Sequence, residues 1–147
     1  MIKKLTVSDS LSIARIHHAG MPEEFLPTFG ISFLSILHRQ ILKDPNVIGI
    51  GFFEEKKLLG FIIATENMSS TLKNALMKGW MKLLPFVLKR VFTSPSTIKN
   101  IVETLLYGKK HEEHPAEIVV LSVAAHARRR GIASKLMKIL CKEFQLR

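Results

Sequence analysis

The sequence predicts an α/β (α+β) domain: a mixed, mainly antiparallel sheet flanked by helices, with a helical insertion between the third and fourth strands. Three observations carry this. Two β-rich segments, Val47 to Phe53 and Leu58 to Thr65, are joined by the polar link Glu54-Glu55-Lys56-Lys57, the pattern of a hairpin. Near the end, the apolar run Ile118 to Val123 reads as a buried strand and leads through a basic glycine turn into an amphipathic helix. Between them, residues 67 to 115 are helical in period and basic in charge.

The remaining elements follow in order. Ile2 to Val7 alternates as a first strand. Ser8, Asp9 and Ser10 are N-cap residues for a helix to about His18, which Gly20, Met21 and Pro22 end. Beyond a loop with Pro27 and Gly30, apolar positions Ile31, Leu34, Ile36, Leu37 and Ile41 mark a second helix, which Asp44-Pro45-Asn46 stops. Ser69-Ser70-Thr71 is a cap for a helix to about Phe92, with Lys78, Lys82 and Lys89 on one face and Leu72, Leu76, Trp80, Leu83 and Val87 on the other. Pro85 should kink or split it. Another helix runs from Thr97 to about Tyr107, and the polar run KKHEEHP closes the insertion. The order is β-α-α-β-β, insertion, β-α.

Composition bounds the function. At 147 residues and 47% hydrophobic, the chain is one domain's worth and globular. Twenty-two Lys and Arg against 12 Asp and Glu give a net charge of +10, which suits anionic partners without choosing among them. The single cysteine, Cys141, excludes an internal disulfide, and its place in an apolar helix predicts a packed thiol. No secretory signal and no stretch of about 20 apolar residues is present, so a soluble cytoplasmic protein is the expectation.

The chemistry concentrates at Arg128-Arg129-Arg130-Gly131. A helix with apolar positions Ile132, Leu136, Ile139 and Leu140 opens there, so its first N–H groups lack internal partners and its dipole adds positive potential. Gly131 lets a phosphate approach the backbone with no Cβ in the way. Strand, turn and helix N-terminus together make an anion cradle.

Residues Ile118 to Leu136 resemble the acetyl-coenzyme-A motif of the GNAT N-acetyltransferase superfamily: Arg or Gln, two residues, Gly, one residue, then Gly or Ala. Here it reads Arg128, Arg129, Arg130, Gly131, Ile132, Ala133. The preceding β-α-α-β-β order looks like the family's N-terminal half. The resemblance implies an acetyl-CoA-dependent N-acetyltransferase acting on the primary amine of a small or sugar-linked acceptor, with no metal. Backbone groups of Leu121, Ser122 and Val123 would pair with the pantetheine amides, and amides from Arg129 to Ser134 would hold the pyrophosphate. The Glu24 to Gly30 loop and the insertion resemble relatives from bacterial surface-polysaccharide biosynthesis. Two positions depart from the family: Ala125 stands where many relatives have Pro, and Ala127 where many have an aromatic residue. Relatives also continue with a fifth strand, a helix and two more strands, a region that often supplies a Tyr to protonate the leaving thiolate. Read against them, residues 1–147 form a single, C-terminally incomplete GNAT-like domain with an insertion at about 67–115, and the unfilled sheet edge favours a homodimer.

Each site residue has a plainer alternative. Glu117 matches the position at which some relatives carry a general base, and strand-end burial would raise its pKa; it is otherwise a solvated strand-end carboxylate. Glu66 is a second candidate. A backbone N–H near Val123 would polarise the acetyl carbonyl. The arginine cluster could contact nucleic acid, but one Trp and one Tyr give no aromatic ladder beside it. His111-Glu112-Glu113-His114 spaces its histidines i, i+3, not the i, i+4 of a zinc-protease helix, and reads as solvated loop. His17 and His18 have no second histidine pair or cysteine nearby in sequence, so no metal site is expected. Residues 72–92 suit either a helix packed over the acceptor site or a membrane surface. The rival to an enzyme is a non-catalytic basic module for anionic membranes or nucleic acid on a degenerate form of this fold.

Overall fold

The computed structural model describes residues 1–107 and 116–146. Four antiparallel strands form one sheet in the order β1-β2-β3-β4: β1 (Ile2–Lys4), β2 (Val47–Glu54), β3 (Lys57–Thr65) and β4 (Glu117–Val123). Five α-helices flank it among the described residues: α1 (Ser10–Gly20), α2 (Ile31–Ile41), α3 (Met68–Thr93), α4 (Thr97–Tyr107) and α5 (Ile132–Gln145). The β2–β3 hairpin turns on Glu55 and Lys56, both at positive φ, which matches the right-handed twist of the strands.

Strand alternation sends side chains to two cores. Phe61 and Ile63 of β3 and Val120 of β4 pack under α1, α2 and α3 with Ile13, Phe33, Leu34 and Leu37. Ile48, Ile50 and Ile62 face the other way, against Ile132, Leu136 and Leu140 of α5. The hydroxyls of Thr65 and Thr71, 2.7 Å apart and buried, pin the start of α3 to the end of β3.

Several expectations are corrected. The first strand stops at Lys4, because the Asp9 carboxylate accepts from both the N–H (2.8 Å) and the hydroxyl (2.9 Å) of Thr6 and draws Val7 into a 3₁₀ turn. Asn67, not the Ser-Ser-Thr run, caps α3, its side chain accepting from the Ser70 N–H at 2.8 Å. Pro85 neither splits α3 nor ends it. The 26-residue helix continues past Pro85, at an exposed position where the lost bond to the Met81 carbonyl faces water. The buried stripe of α3 is Thr71, Ala75, Gly79 and Leu83, so Trp80 points outward. Among the described residues β4 is an edge strand, buried only in part: Val120 and Ser122 are buried and Ile118 is 43% exposed. Cys141 is exposed, a residue past the buried Leu140 and turned away from the α5 core face.

Candidate active site

Strand β4 runs into a 3₁₀ turn, Ala125–Ala127, then into Arg128 to Gly131 and the start of α5. The buried Ala127 tucks this turn under the sheet. Two residues then take left-handed backbone: Arg129 at φ 63° and Gly131 at φ 72°. A non-glycine residue there costs on the order of 1 kcal/mol. The first intrahelical bond is Lys135 N–H to Gly131 C=O at 3.1 Å. Hence the N–H groups of Ile132, Ala133 and Ser134 project from the helix end. A Cβ built on Gly131 would meet nothing within 4 Å, so the space over this end is open.

Two of the three arginines are occupied. Arg128 donates from Nε to the Val123 carbonyl at 3.1 Å, folding the turn back on the strand end. Arg130 pairs with Glu54 of the hairpin at 2.7 Å, and this hydrogen bond holds the Glu54 carboxyl below its usual range. Arg129 makes no hydrogen bond or ion pair with the described residues, which leaves its whole guanidinium available to a ligand.

The edge of β4 away from β3 carries no strand among the described residues. Ala124 donates its N–H to Leu59 of β3 at 2.8 Å. Alternation therefore turns the backbone of Ser122 towards β3 and that of Leu121 and Val123 towards the open edge. The Ser122 hydroxyl reaches the Ile16 carbonyl of α1 at 3.4 Å. Helix α1 comes so close that a Cβ on Gly20 would run into the Ser122 hydroxyl oxygen. In register with β3, Ile63 faces Val120 and Ala64 faces Ile118, leaving Val119 as a bulge.

Val119 also lines a cavity of about 510 Å³ that is walled by the connection between α1 and α2 (Glu24 to Leu26), by His17 and His38, and by Leu72 of α3 and Glu103 of α4. Glu117 opposes Thr65, so it shares the sheet face that looks towards α3, and it is half-buried. Glu66 follows Thr65 and is exposed.

Sequence reading missed the histidine pair. His17 Nδ1 and His38 Nε2 are 2.9 Å apart and buried, at 5% and 1% exposure. Burial, and then the neighbouring His18, push the His17 pKa down to about 4; burial, and then His17, push His38 down to about 3. Both rings are neutral at physiological pH, so one proton lies between them. His38 Nδ1 has no hydrogen-bond partner among the described residues. A bare buried acceptor costs less than a bare buried N–H, so His38 donates from Nε2, and His17 accepts at Nδ1 and carries its one ring proton on Nε2. Each histidine sits at a core position of its helix, beside Ile13 and Ala14 or Leu34 and Ile41, which is the signal that sequence offers.

His111-Glu112-Glu113-His114 lies outside the described residues. No group of three or more His, Cys, Asp or Glu that could hold a metal occurs among the described residues. None of their helices is long and apolar enough to cross a membrane.

No curated protein sequence matches this chain. Among solved structures, the crystal structure of ribosomal-protein-alanine N-acetyltransferase from Brucella melitensis biovar Abortus 2308 is similar in fold. It superposes with a TM-score of 0.54 at 14% identity, over 100% of this chain and 72% of that one. The sequence model of the acetyltransferase (GNAT) family matches residues 12–147, a span that takes in β2 to β4 and the whole turn into α5. The chain belongs to the GNAT acetyltransferase family.

Proposed function

We propose that this chain is an acetyl-CoA-dependent N-acetyltransferase that acts on the primary amine of a small or sugar-linked acceptor. One observation carries the reading: an open strand edge runs straight into a left-handed turn and a helix end with three projecting N–H groups. Leu121 and Val123 would meet the pantetheine arm as a neighbouring strand does, with Ser122 between them tying the strand to α1. The amides of Arg129, Arg130, Gly131, Ile132, Ala133 and Ser134, with the Arg129 side chain, would hold the pyrophosphate. Arg128 shapes the turn through its Nε and would offer its remaining guanidinium N–H groups to the same phosphates. Acetyl-CoA supplies the activated acetyl thioester.

The acceptor would enter the cavity at Val119, where the carboxylates of Glu24 and Glu103 attract an ammonium group and the apolar walls hold its carbon body. Glu117, on the same sheet face, would take the amine proton, and a backbone N–H near Val123 would polarise the carbonyl. On this reading residues 1–147 work as one unit, with about 67–115 as its insertion. The same β4 edge cannot pair with pantetheine and with a second chain at once, so acetyl-CoA should oppose any homodimer made by strand pairing.

The test is release of free coenzyme-A thiol across a panel of primary amines. Glu117→Gln is expected to cut kcat about a hundredfold with little change in KM for acetyl-CoA. Turnover of that variant at the unaltered rate would exclude Glu117 as the base. Silence with every amine at saturating acetyl-CoA would contradict the reading as a whole.

A further inference from the structure

Helix α3 is apolar on two sides. Its inner side is buried under the sheet through Thr71, Ala75, Gly79 and Leu83, with Leu72, Leu76, Phe86 and Val87 packed beside them. Its outer side carries a second ridge that nothing among the described residues covers. Met77, Met81, Leu84, Leu88 and Phe92 are 62%, 72%, 41%, 47% and 85% exposed, with Trp80 beside them at 58%. Their spacing, in steps of three and four, draws one line about 22 Å long. Scattered exposed hydrophobics are ordinary, but a continuous ridge of this length marks a contact surface.

Charge selects the occupant. The helix carries Lys73, Lys78, Lys82, Lys89 and Arg90 and no carboxylate in 26 residues. At 100° per residue Lys78, Lys82 and Lys89 fall together on one flank of the ridge. A second copy of this chain would bring five cations against five with no acid on either helix to offset them. Nucleic acid would meet the lysines but would leave the ridge in water. An anionic bilayer answers both: its acyl boundary takes the apolar ridge and its headgroup phosphates take the lysines. No described helix can span a bilayer, which fits a helix lying in the interface plane.

We propose that the outer face of α3 is an interfacial anchor that seats this protein on anionic membrane surfaces. Trp80 enters the headgroup region, and the opposite face of the same helix walls the acceptor cavity through Met68 and Leu72.

Trp80 is the only tryptophan of the chain, so its fluorescence reports the ridge directly. The full chain should partition into vesicles of equal parts phosphatidylglycerol and phosphatidylcholine with a blue shift of that emission, and should ignore pure phosphatidylcholine. Lys78→Gln with Lys82→Gln should lower the partition coefficient about thirtyfold. Met81→Ser with Leu84→Ser, both at exposed positions, should lower it at least about tenfold while leaving the melting temperature in place. Adsorption without a blue shift, or adsorption unaltered in the serine variant, would reduce the interaction to charge alone and overturn the anchor. Failure to bind the mixed vesicles, with or without a ridge-dependent dimer, would overturn it too.

Discussion

Gly131→Asp is expected to lower acetyl-CoA affinity roughly a thousandfold while leaving the fold intact. Gly131 holds φ 72° and its Cβ position is open space, so an added side chain clashes with nothing. Asp tolerates left-handed backbone better than most residues, at a cost of about 1 kcal/mol. Its carboxylate, however, would stand beside the three projecting N–H groups, the place proposed for the pyrophosphate. Like charges about 4 Å apart near a protein surface repel by roughly 4 kcal/mol, which is the thousandfold. Gly131→Asn separates charge from shape: it accepts the same backbone and fills the same volume but carries no charge, so it should retain most of the affinity. Isothermal titration of both variants checks this. Equal losses in the two would assign the effect to bulk.

Acid should unfold this protein through the buried histidine pair. The folded-state pKa values of His17 and His38, about 4 and about 3, lie below the 6.5 of an exposed imidazole. Between those limits the unfolded chain binds more protons, so stability rises with pH. The contribution is fully present above pH 6.5 and is lost as pH falls towards 4 and 3. At about pH 5 the loss amounts to about 2 kcal/mol per imidazole, a large part of a small domain's stability. Urea denaturation at about pH 7 and pH 5 measures it. His17→Leu with His38→Leu removes both partners of the bond, so no buried polar atom is orphaned, and should flatten the pH dependence. A double variant that loses stability in parallel with the unaltered chain would show that the carboxylates, not this pair, control the acid limb.

The order of elements was legible because each had its own local signal. The β-rich runs on either side of Glu54 to Lys57 specify the β2–β3 hairpin, although Glu55 and Lys56 reach positive φ without a glycine. Gly30 and the Asp44-Pro45 pair bracket α2. The cradle was legible for the same reason, since Arg128 to Gly131 is a contiguous run. What escaped depends on contacts across the fold. His17 and His38 are 21 residues apart in sequence and meet only because α1 and α2 pack together. Trp80 was misplaced because α3 offers two apolar faces and periodicity cannot say which is inner. The small residues Ala75 and Gly79 decide it by letting α3 approach the core. The Arg130–Glu54 pair was hidden for the same reason, its partners lying 76 residues apart in sequence.

The turn between β4 and α5 is the proposed coenzyme-A site on which the function rests. Calorimetric titration of acetyl-CoA into the chain tests it most directly. One acetyl-CoA per chain should bind, with the heat lost in Gly131→Asp and kept in Gly131→Asn. No heat at saturating acetyl-CoA with the unaltered chain, or undiminished binding by Gly131→Asp, would contradict it.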